Sequence, residues 1–352
     1  MRTPYATRGN TFGRGRAFDA AGATGFAFLQ SQLELIDTDL VRPLQAVTHK
    51  RDIPVEVGGG FPEFISAFAS NYASTGTQYF GLQGTNNTEI PEAQADIQKG
   101  IWRTYVWAMG ITITWVDLRR METALRTGQA PPFSLQELYE ESCETTWGKA
   151  LDFVVYAGFL GDAGLVNNPN VFEFTAANGA SGHSAWSTKQ PQEILSDINT
   201  ALNQTVENSG FSSEEGMADR MLVPYTQFAF LTQPMTIGGA PVATSTIKYI
   251  EENCVAAHHG IPFKINFLPN PWISGQGTGN TAPVGQPGNG LDRGVVYKNS
   301  KKSLYLRIPQ PMTQAMTVPT TRAGGAYETM YAGCLSQCIF KRTQTMTYID
   351  GI

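Results

Sequence analysis

Two pairs of residues with metal-binding side chains stand out in this chain of 352 residues. His258 and His259 are adjacent, so they point to different sides of a helix or strand, and one metal ion rarely takes both. Cys334 and Cys338 have the spacing that puts two thiols on one face of a helix. A zinc site needs two further ligands, however, and the nearby sequence offers none. We therefore predict surface histidines, structural cysteines and no metal site.

A glycine pattern, Gly277-x-Gly279-x-x-Ala282, has the spacing of a dinucleotide-binding fingerprint. That fingerprint binds phosphate only where it joins a strand to the N-terminus of a helix. The glycines and prolines on both sides of this pattern predict no helix there. The stretch Asn270–Gly290 holds six glycines, three prolines and no charged residue. We predict that it is an irregular loop without a cofactor.

Catalytic motifs are missing from the sequence. It contains no G-x-S-x-G elbow, no G-x-x-x-x-G-K-[ST] loop and no H-E-x-x-H pair, and its acidic residues are scattered without a spacing that singles out a catalytic pair. We predict a protein that is not an enzyme, with no catalytic residue, no cofactor and no bound metal.

The first 30 residues form a segment of distinct composition. They carry four arginines against one acid, and five glycines that disfavour regular structure. One interpretation is a solvated end. The other is an arm that lies on neighbouring subunits or meets nucleic acid, where each cation that contacts a phosphate releases counterions. The candidate contact residues are Arg2, Arg8, Arg14 and Arg16.

Composition excludes several classes of protein. Charged residues make up 16% of the chain, below the ~25% of an average globular domain, which argues against a disordered chain or a coiled coil. The net charge of −5 excludes a globally basic nucleic-acid binder. No run of residues approaches the ~20 apolar positions that a membrane helix needs. Four cysteines are too few for a disulfide framework, so we expect a protein made in a reducing cytoplasm.

Two helices are well marked. Ser134–Leu160 begins with a capping box formed by Ser134 and Glu137 and carries an unbroken apolar stripe, and it would span ~40 Å as a helix. We predict a single helix over at least 136–158. We call it the spine helix. A second helix is predicted at about 191–209, from Pro191 to the glycine at 210.

Other segments have weaker patterns. Residues Gly58–Lys99 predict an extended β-loop between two strands, with at most a helical turn or two at Glu63–Phe68. Strands are predicted where apolar residues alternate or cluster, and short helices between them. The predicted helices are Ser31–Thr48, 225–232 and 245–253, and the predicted strands are Met109–Trp115, Met221–Val223, Ile261–Leu268, a hairpin of Val295–Tyr297 with Leu304–Ile308, and the tail Ile339–Ile349.

Several runs, in a fixed order, resemble the major capsid proteins of tailed phages with the Hong Kong 97 fold, in the branch common in bacterial prophages. The resemblance extends over about residues 30–352. The runs that carry it are Gly158–Val171, Trp186–Asn199, Asp292–Tyr297, Leu304–Pro311, Arg322–Tyr327 and Tyr348–Gly351.

The resemblance implies an α+β fold with an N-terminal arm, an extended β-loop, a long spine helix and an axial domain. The arm would be residues 1–30. The peripheral domain would be 31–164 with 326–352, including the extended loop at about 55–100. The axial domain would be 165–325.

The implied function is that of a structural major capsid protein. It would self-assemble into hexamers and pentamers of an icosahedral shell around double-stranded DNA, held non-specifically. Neighbouring subunits would meet through the arm and the extended loop, and scaffolding, portal and decoration proteins are further implied partners. No membrane is involved; the location is the virion capsid, assembled in the bacterial host cytoplasm.

Two alternatives stay open from sequence alone. One is an encapsulin-like compartment shell of the same fold, which encloses an enzyme instead of a genome. The other is a soluble α/β enzyme whose site carries no recognisable motif. Some members of the fold join neighbours by a Lys–Asn bond. Lys99 is the lysine nearest to the extended loop, but nothing in the sequence shows an asparagine and a catalytic acid beside it, so we predict no crosslink.

Overall fold

The computed structural model describes residues 46–74, 93–127, 135–237, 240–283, 286, 288–321 and 325–352. The chain divides into two compact units. The larger unit holds residues 45–120 and 135–352. The smaller unit holds residues 1–44 and 121–134, of which the structure describes only the end of one helix, 121–127.

Nine α-helices lie in the described part of the chain. Two of them have 18 residues or more, one has 13, and the other six have four to eight. In chain order they are α1 (His49–Asp52), α2 (Trp115–Thr127), α3 (Leu135–Tyr156), α4 (Pro191–Asn208), α5 (Ser213–Gly216), α6 (Tyr225–Leu231), α7 (Thr246–Asn253), α8 (Val255–His258) and α9 (Asn270–Ile273).

The described strands form four sheets, with the strand orders β1-β10-β13, β11-β12-β3-β2, β4-β14-β9-β5-β8 and β6-β7. The longest, β3, has 22 residues. The strands are β1 (Val55–Val57), β2 (Phe64–Ser74), β3 (Ala93–Thr114), β4 (Phe172–Thr175), β5 (Arg220–Pro224), β6 (Pro234–Ile237), β7 (Ala240–Ser245), β8 (Lys264–Leu268), β9 (Arg293–Tyr297), β10 (Leu304–Ile308), β11 (Gln310–Thr320), β12 (Ala326–Ser336), β13 (Ile339–Phe340) and β14 (Met346–Asp350).

The five-stranded sheet is covered on both faces, which explains why its central strands are continuously apolar. Along β9, Val295 and Tyr297 face one core cluster, which includes Val155 of α3. Val296, between them, faces a second cluster, which includes Ile198 of α4. The period of two along a strand therefore divides the core between the two long helices.

The spine helix is a single unbroken helix, α3, but it is shorter than predicted. It ends at Tyr156, not at 158 or beyond. Gly158 takes a left-handed φ of +76°, and the last carbonyls of the helix accept hydrogen bonds from returning chain. Leu165 N donates to Val155 O at 2.8 Å and Val166 N to Tyr156 O at 3.2 Å. The predicted cap residue Ser134 lies outside the described residues.

Several predicted elements are confirmed. Helix α4 begins at Pro191 and ends two residues before Gly210, and Glu193 accepts a hydrogen bond from Gln190 N at 2.8 Å, as in a capping box. The helices near 225–232 and 245–253 are α6 and α7, and the strands at 221–223 and within 261–268 are β5 and β8. The stretch 270–290 is irregular in its described residues except for the single turn α9.

The predicted hairpin of 295–297 with 304–308 is wrong. Strand β9 pairs with β14 and β5 in the five-stranded sheet, whereas β10 pairs with β1 and β13 in another sheet. Val55–Val57 runs parallel to Leu306–Ile308, and this partner comes from a segment far away in the sequence. The turn between β9 and β10 therefore connects two sheets.

Four further differences concern local elements. Residue Trp115 starts helix α2 instead of ending a strand, and α2 itself was not predicted. Glu63–Phe68 contains no helical turn, because β2 begins at Phe64. Strand β4 was missed, although its four residues, Phe172–Thr175, alternate between apolar and polar side chains, because so short a run is a weak signal. Of the predicted helix Ser31–Thr48, residues 31–45 lie outside the description, and 46–48 are not helical.

Candidate interaction surfaces

Strands β2 and β3 form a long antiparallel hairpin with an exposed apolar face. The register pairs Phe64 with Arg103 and Phe68 with Lys99, and side chains paired in this way share one face. On that face Phe68 is 73% exposed and Ile97 70% exposed. Exposed apolar clusters of this kind mark interaction sites. We call this set the hairpin patch; its members are Phe64, Phe68, Ile97 and Ile101.

The opposite face of the same hairpin packs against the rest of the unit. Ile65 pairs with Trp102 and is buried in a small cluster with Tyr305 and Ile339. These contacts fix the base of the hairpin, so the hairpin patch is presented on an anchored element. The sequence alone does not distinguish the two faces, because apolar residues such as Phe64 and Ile65 follow one another directly.

Strand β3 changes its covered face along its length. Beyond Arg103 the face that carried the hairpin patch is covered by α3. Tyr105 packs edge-on against Phe159, and Trp107 packs against Trp147 of α3 with ring centroids 5.2 Å apart. The other face then becomes open, and Val106 is 71% exposed. One strand thus presents exposed apolar side chains in two opposite directions.

A cleft of about 900 Å³ separates the hairpin from the end of α4 and the turns near 302 and 342. One wall is the hairpin, including Ala67–Ser70 and Trp102. The charged side chains that line the cleft are four cations and one anion, and we call it the basic cleft. They are Lys99, Lys302, Lys341, Arg342 and Glu215.

Glu215 organises the far wall of this basic cleft. Its carboxylate accepts from Lys302 Nζ at 2.6 Å and from Arg342 Nη1 at 2.5 Å. These two hydrogen-bonded cations lower the pKa of Glu215 to about 2. Lys341 lies over the ring of Tyr305 at 4.6 Å, a cation–π contact. The cleft keeps an excess of positive charge after these pairings.

A second polar cluster fixes the glycine-rich loop. Arg293 binds Asp350 through Nε at 2.7 Å and Nη2 at 2.8 Å, and its guanidinium lies over the ring of Tyr348 at 4.4 Å. Asp350 Oδ2, which accepts from Arg293 Nη2, also accepts from the N–H and hydroxyl of Thr278, both at 2.8 Å. The carboxylate therefore packs directly against the glycine pattern, where a Cβ added at Gly277 would lie 2.7 Å from Asp350 Cγ.

Residues 48–52 are tied to the spine helix. Asp152 of α3 accepts from the backbone N–H of Thr48 and of His49, each at 3.0 Å, and its Oδ1 lies 2.7 Å from His49 Nδ1. Tyr156 donates to Asp52 at 2.6 Å. His49 and Asp52 are fully buried. Helix α1 is thus fixed against α3 by buried hydrogen bonds.

The structure describes some of the predicted site residues and not others. The candidate arm residues Arg2, Arg8, Arg14 and Arg16 lie outside the described residues. His258 and His259 are exposed, as predicted. Cys143, Cys254, Cys334 and Cys338 are buried free thiols, and burial raises the pKa of Cys338. Among the described residues no group of three or more His, Cys, Asp or Glu side chains is placed to hold a metal ion, and no described helix has the length and hydropathy to cross a bilayer.

Sequence reasoning missed the hairpin patch and the basic cleft. The hairpin was predicted as an extended β-loop, but which of its residues are exposed depends on what covers each face. The basic cleft joins residues from five separate stretches of sequence. The available signal was the absence of any charged residue within 64–70.

A model of the family described as "Major capsid protein" matches residues 81–352. No curated protein sequence matches the chain. Several solved structures resemble it in fold. The capsid of the Myoviridae phage XM1 superposes with a TM-score of 0.67 at 13% identity, covering 92% of this chain and 98% of that one.

Two further capsid structures resemble the chain. The capsid of an empty GTA particle gives a TM-score of 0.55 at 8% identity, covering 92% of this chain and 97% of that one. Mycobacterium phage Che8 gives 0.53 at 10% identity, covering 90% and 96%. At such low identity these likenesses show the fold, and they confirm the α+β capsid fold predicted from the sequence.

Proposed function

This chain belongs to the major capsid protein family, and from that premise we propose that copies of it assemble into hexamers and pentamers of an icosahedral shell enclosing double-stranded DNA. It is a structural protein of the virion capsid. The family assignment favours this function over the compartment shell and the soluble enzyme that the sequence left open.

The hairpin patch is the structural observation that supports assembly. Four large apolar side chains stand together on one face of an anchored hairpin, with exposures from 57% to 73%. Transfer of such surface from water stabilises an interface by ~25 cal/mol per Å² of apolar area. Apolar contacts of this kind, repeated between all the subunits of a closed shell, give a high total affinity through multivalency.

The proposed division of the chain follows the sheets only in part. We propose a peripheral domain of 31–164 with 326–352, an axial domain of 165–325 and an arm of 1–30. Strand β12 pairs with β3, which agrees with a peripheral 326–336. Strand β14 pairs with β4 and β9, so the end of the chain lies within the sheet of the axial segment.

We also propose the partners of the subunit and where assembly takes place. Subunits meet through the arm and the extended loop. Arg2, Arg8, Arg14 and Arg16 contact neighbouring subunits or packaged DNA without sequence preference. Scaffolding, portal and decoration proteins act with the shell, assembly takes place in the host cytoplasm, and the protein has no turnover of its own.

Sedimentation and electron microscopy of the expressed full-length protein test the proposal. Closed shells built from this chain are the expected result. A stable monomer at high concentration, with no particle of any size, would contradict it.

A further inference from the structure

The chain contains two Asn–Gly pairs, Asn178–Gly179 and Asn289–Gly290. An asparagine side chain can react with the backbone nitrogen of the residue that follows it, and glycine permits this reaction best because it has no Cβ to hinder the approach. In a folded protein the reaction depends on how firmly the asparagine side chain and the following peptide are held. The two pairs differ in this respect.

Asn289 is fixed by its neighbours across the glycine-rich loop. Its side-chain oxygen accepts from Thr281 N at 2.9 Å, and its Nδ2 donates to Thr281 Oγ1 at 2.9 Å. Its backbone N–H donates to Asn280 Oδ1 at 3.3 Å. To reach the nitrogen of Gly290, which itself donates to Gly275 O at 2.9 Å, the amide would have to break both bonds to Thr281. The fold therefore protects this pair.

Asn178 lies in a different setting, exposed on the chain between β4 and α4. Within the described part of the chain its side chain makes no hydrogen bond. One backbone bond holds the following nitrogen, since Gly179 N donates to His183 O at 3.0 Å. His183 is also exposed, and backbone hydrogen bonds that face solvent open easily. The side chain of Asn178 is then free to turn toward Gly179.

We propose that Asn178 is a site of spontaneous modification, at which the folded chain deamidates through a cyclic imide while Asn289 does not. The nitrogen of Gly179 attacks Cγ of Asn178 and forms a new N–C bond. The Cγ–Nδ2 bond breaks, and ammonia leaves with the proton that Gly179 N loses. Water then opens the imide at one of its carbonyl carbons, which gives aspartate or isoaspartate at position 178. The proposal concerns the folded subunit and does not depend on the proposed shell function.

The product carries a carboxylate beside the residue that holds this loop in place. Glu193 of α4 accepts from Ala180 N at 2.7 Å and from Gln190 N at 2.8 Å, and these backbone hydrogen bonds lower its pKa. Its carboxylate lies directly against Gly179, where an added Cβ would be 2.7 Å from Glu193 Oε2. A second negative charge at the neighbouring position repels Glu193. The modified loop is therefore held less firmly on α4.

Ageing of the purified full-length chain, followed by peptide mass mapping, tests the inference. Incubation in a mildly alkaline buffer is expected to convert Asn178 progressively, with the mass gain of an amide that has become an acid and with release of ammonia. Asn289 is expected to remain an asparagine. In concentrated urea neither pair is protected, so both are expected to convert at comparable rates. This comparison of folded and unfolded chain is the internal control.

Variants at position 178 separate the reaction from its consequence. Asn178→Gln keeps an amide but needs a larger ring, so its peptide is expected to stay unmodified. Asn178→Asp carries the charge of the product from the start. It is expected to make the loop more sensitive to limited proteolysis than Asn178→Gln does, since only the acid repels Glu193.

A variant of Thr281 tests the protection of Asn289. Thr281→Ala removes the hydroxyl that accepts from Asn289 Nδ2 and is expected to let Asn289 convert faster than in the wild-type chain. Thr200→Ala is the matched control, because it removes an exposed hydroxyl on α4 that bonds only its own helix, at Ser196 O. It is expected to leave Asn289 unconverted.

Three outcomes overturn the inference. One is equal conversion of the two asparagines in the folded chain. Another is an unmodified Asn178 over a period in which the chain in urea converts. The third is an Asn289 that is no less protected in Thr281→Ala than in wild type. Shell formation is scored separately by sedimentation, so absence of shells would contradict the proposed function and leave this inference standing.

Discussion

The guanidinium of Arg293 holds both carboxylate oxygens of Asp350, with N–O distances of 2.7 and 2.8 Å. The pair joins neighbouring strands β9 and β14, and both side chains are buried. The two residues belong to separate runs of sequence that resemble the capsid family, 292–297 and 348–351. Their pairing gives those runs a physical role, which is to tie the end of the chain to the glycine-rich loop.

Replacement of Arg293 by leucine is expected to destabilise the subunit strongly. It leaves the Asp350 carboxylate buried without its cation, and breaking a buried pair in this way costs ~3–5 kcal/mol. Urea unfolding of the variant measures the loss. Lys248→Ala is the control, because it breaks only the exposed pair with Glu252, worth ~0.3–0.5 kcal/mol. An equal loss of unfolding free energy in the two variants would show that the buried pair of Arg293 and Asp350 does not stabilise the subunit.

Glu215→Gln is expected to lower the urea midpoint of unfolding by an amount that depends on pH. The pKa of Glu215 is lowered from 4.5 to about 2 by Lys302 and Arg342. A carboxylate with a lowered folded-state pKa stabilises the folded protein above its ordinary pKa and loses that effect as pH falls toward the lowered value. The difference in urea midpoint between wild type and variant should therefore shrink from pH 4.5 down to pH 2.

The neighbouring exposed Glu214→Gln is the control for this pH series, since Lys302 and Arg342 contact Glu215. A difference between wild type and Glu215→Gln that stays constant with pH would show that the two cations do not act through the ionised carboxylate.

Gly277→Ala is expected to destabilise the glycine-rich loop. An added Cβ would lie 2.7 Å from Asp350 Cγ and 2.8 Å from Leu291 O. Overpacking of this kind costs ~1–3 kcal/mol. Gly110→Ala in β3 is the matched change, because its Cβ would meet nothing within 4 Å, and it should gain stability slightly or stay neutral. Thermal unfolding compares the two, and similar melting temperatures would argue against close packing at Gly277.

Phe68→Glu is expected to reduce shell yield while leaving the subunit folded. Phe68 is 73% exposed, so the change should alter stability by no more than ~0.5 kcal/mol. In an assembled shell the same change would bury a charge. Sedimentation measures shells, and circular dichroism measures the fold. Phe68→Leu keeps an apolar side chain and should form shells. Normal shells from Phe68→Glu would show that the hairpin patch is not part of the interfaces between subunits.

The sequence predicts elements that have local signals. Helix α4 lies between Pro191 and Gly210, and its apolar stripe has the right period, so nothing distant was needed to find it. The spine helix was found for the same reason. Its end was misplaced, because the hydrogen bonds from Leu165 and Val166 that terminate it come from the following loop.

The predicted hairpin of β9 and β10 failed because strand pairing is decided by partners that are distant in sequence. Leu306 pairs with Val55, and Val296 pairs with Thr347 and Met221. Each strand had a better partner than its neighbour in the chain. The basic cleft escaped prediction for the same physical reason, since its charges gather only when separate turns meet.

A cryo-electron microscopy reconstruction of purified particles tests the central claim most directly. The account predicts a closed icosahedral shell whose hexamers and pentamers are all built from this chain, with the hairpin patch buried against neighbouring copies. A particle whose shell is built from another protein, or a shell in which Phe64, Phe68, Ile97 and Ile101 face solvent, would contradict it.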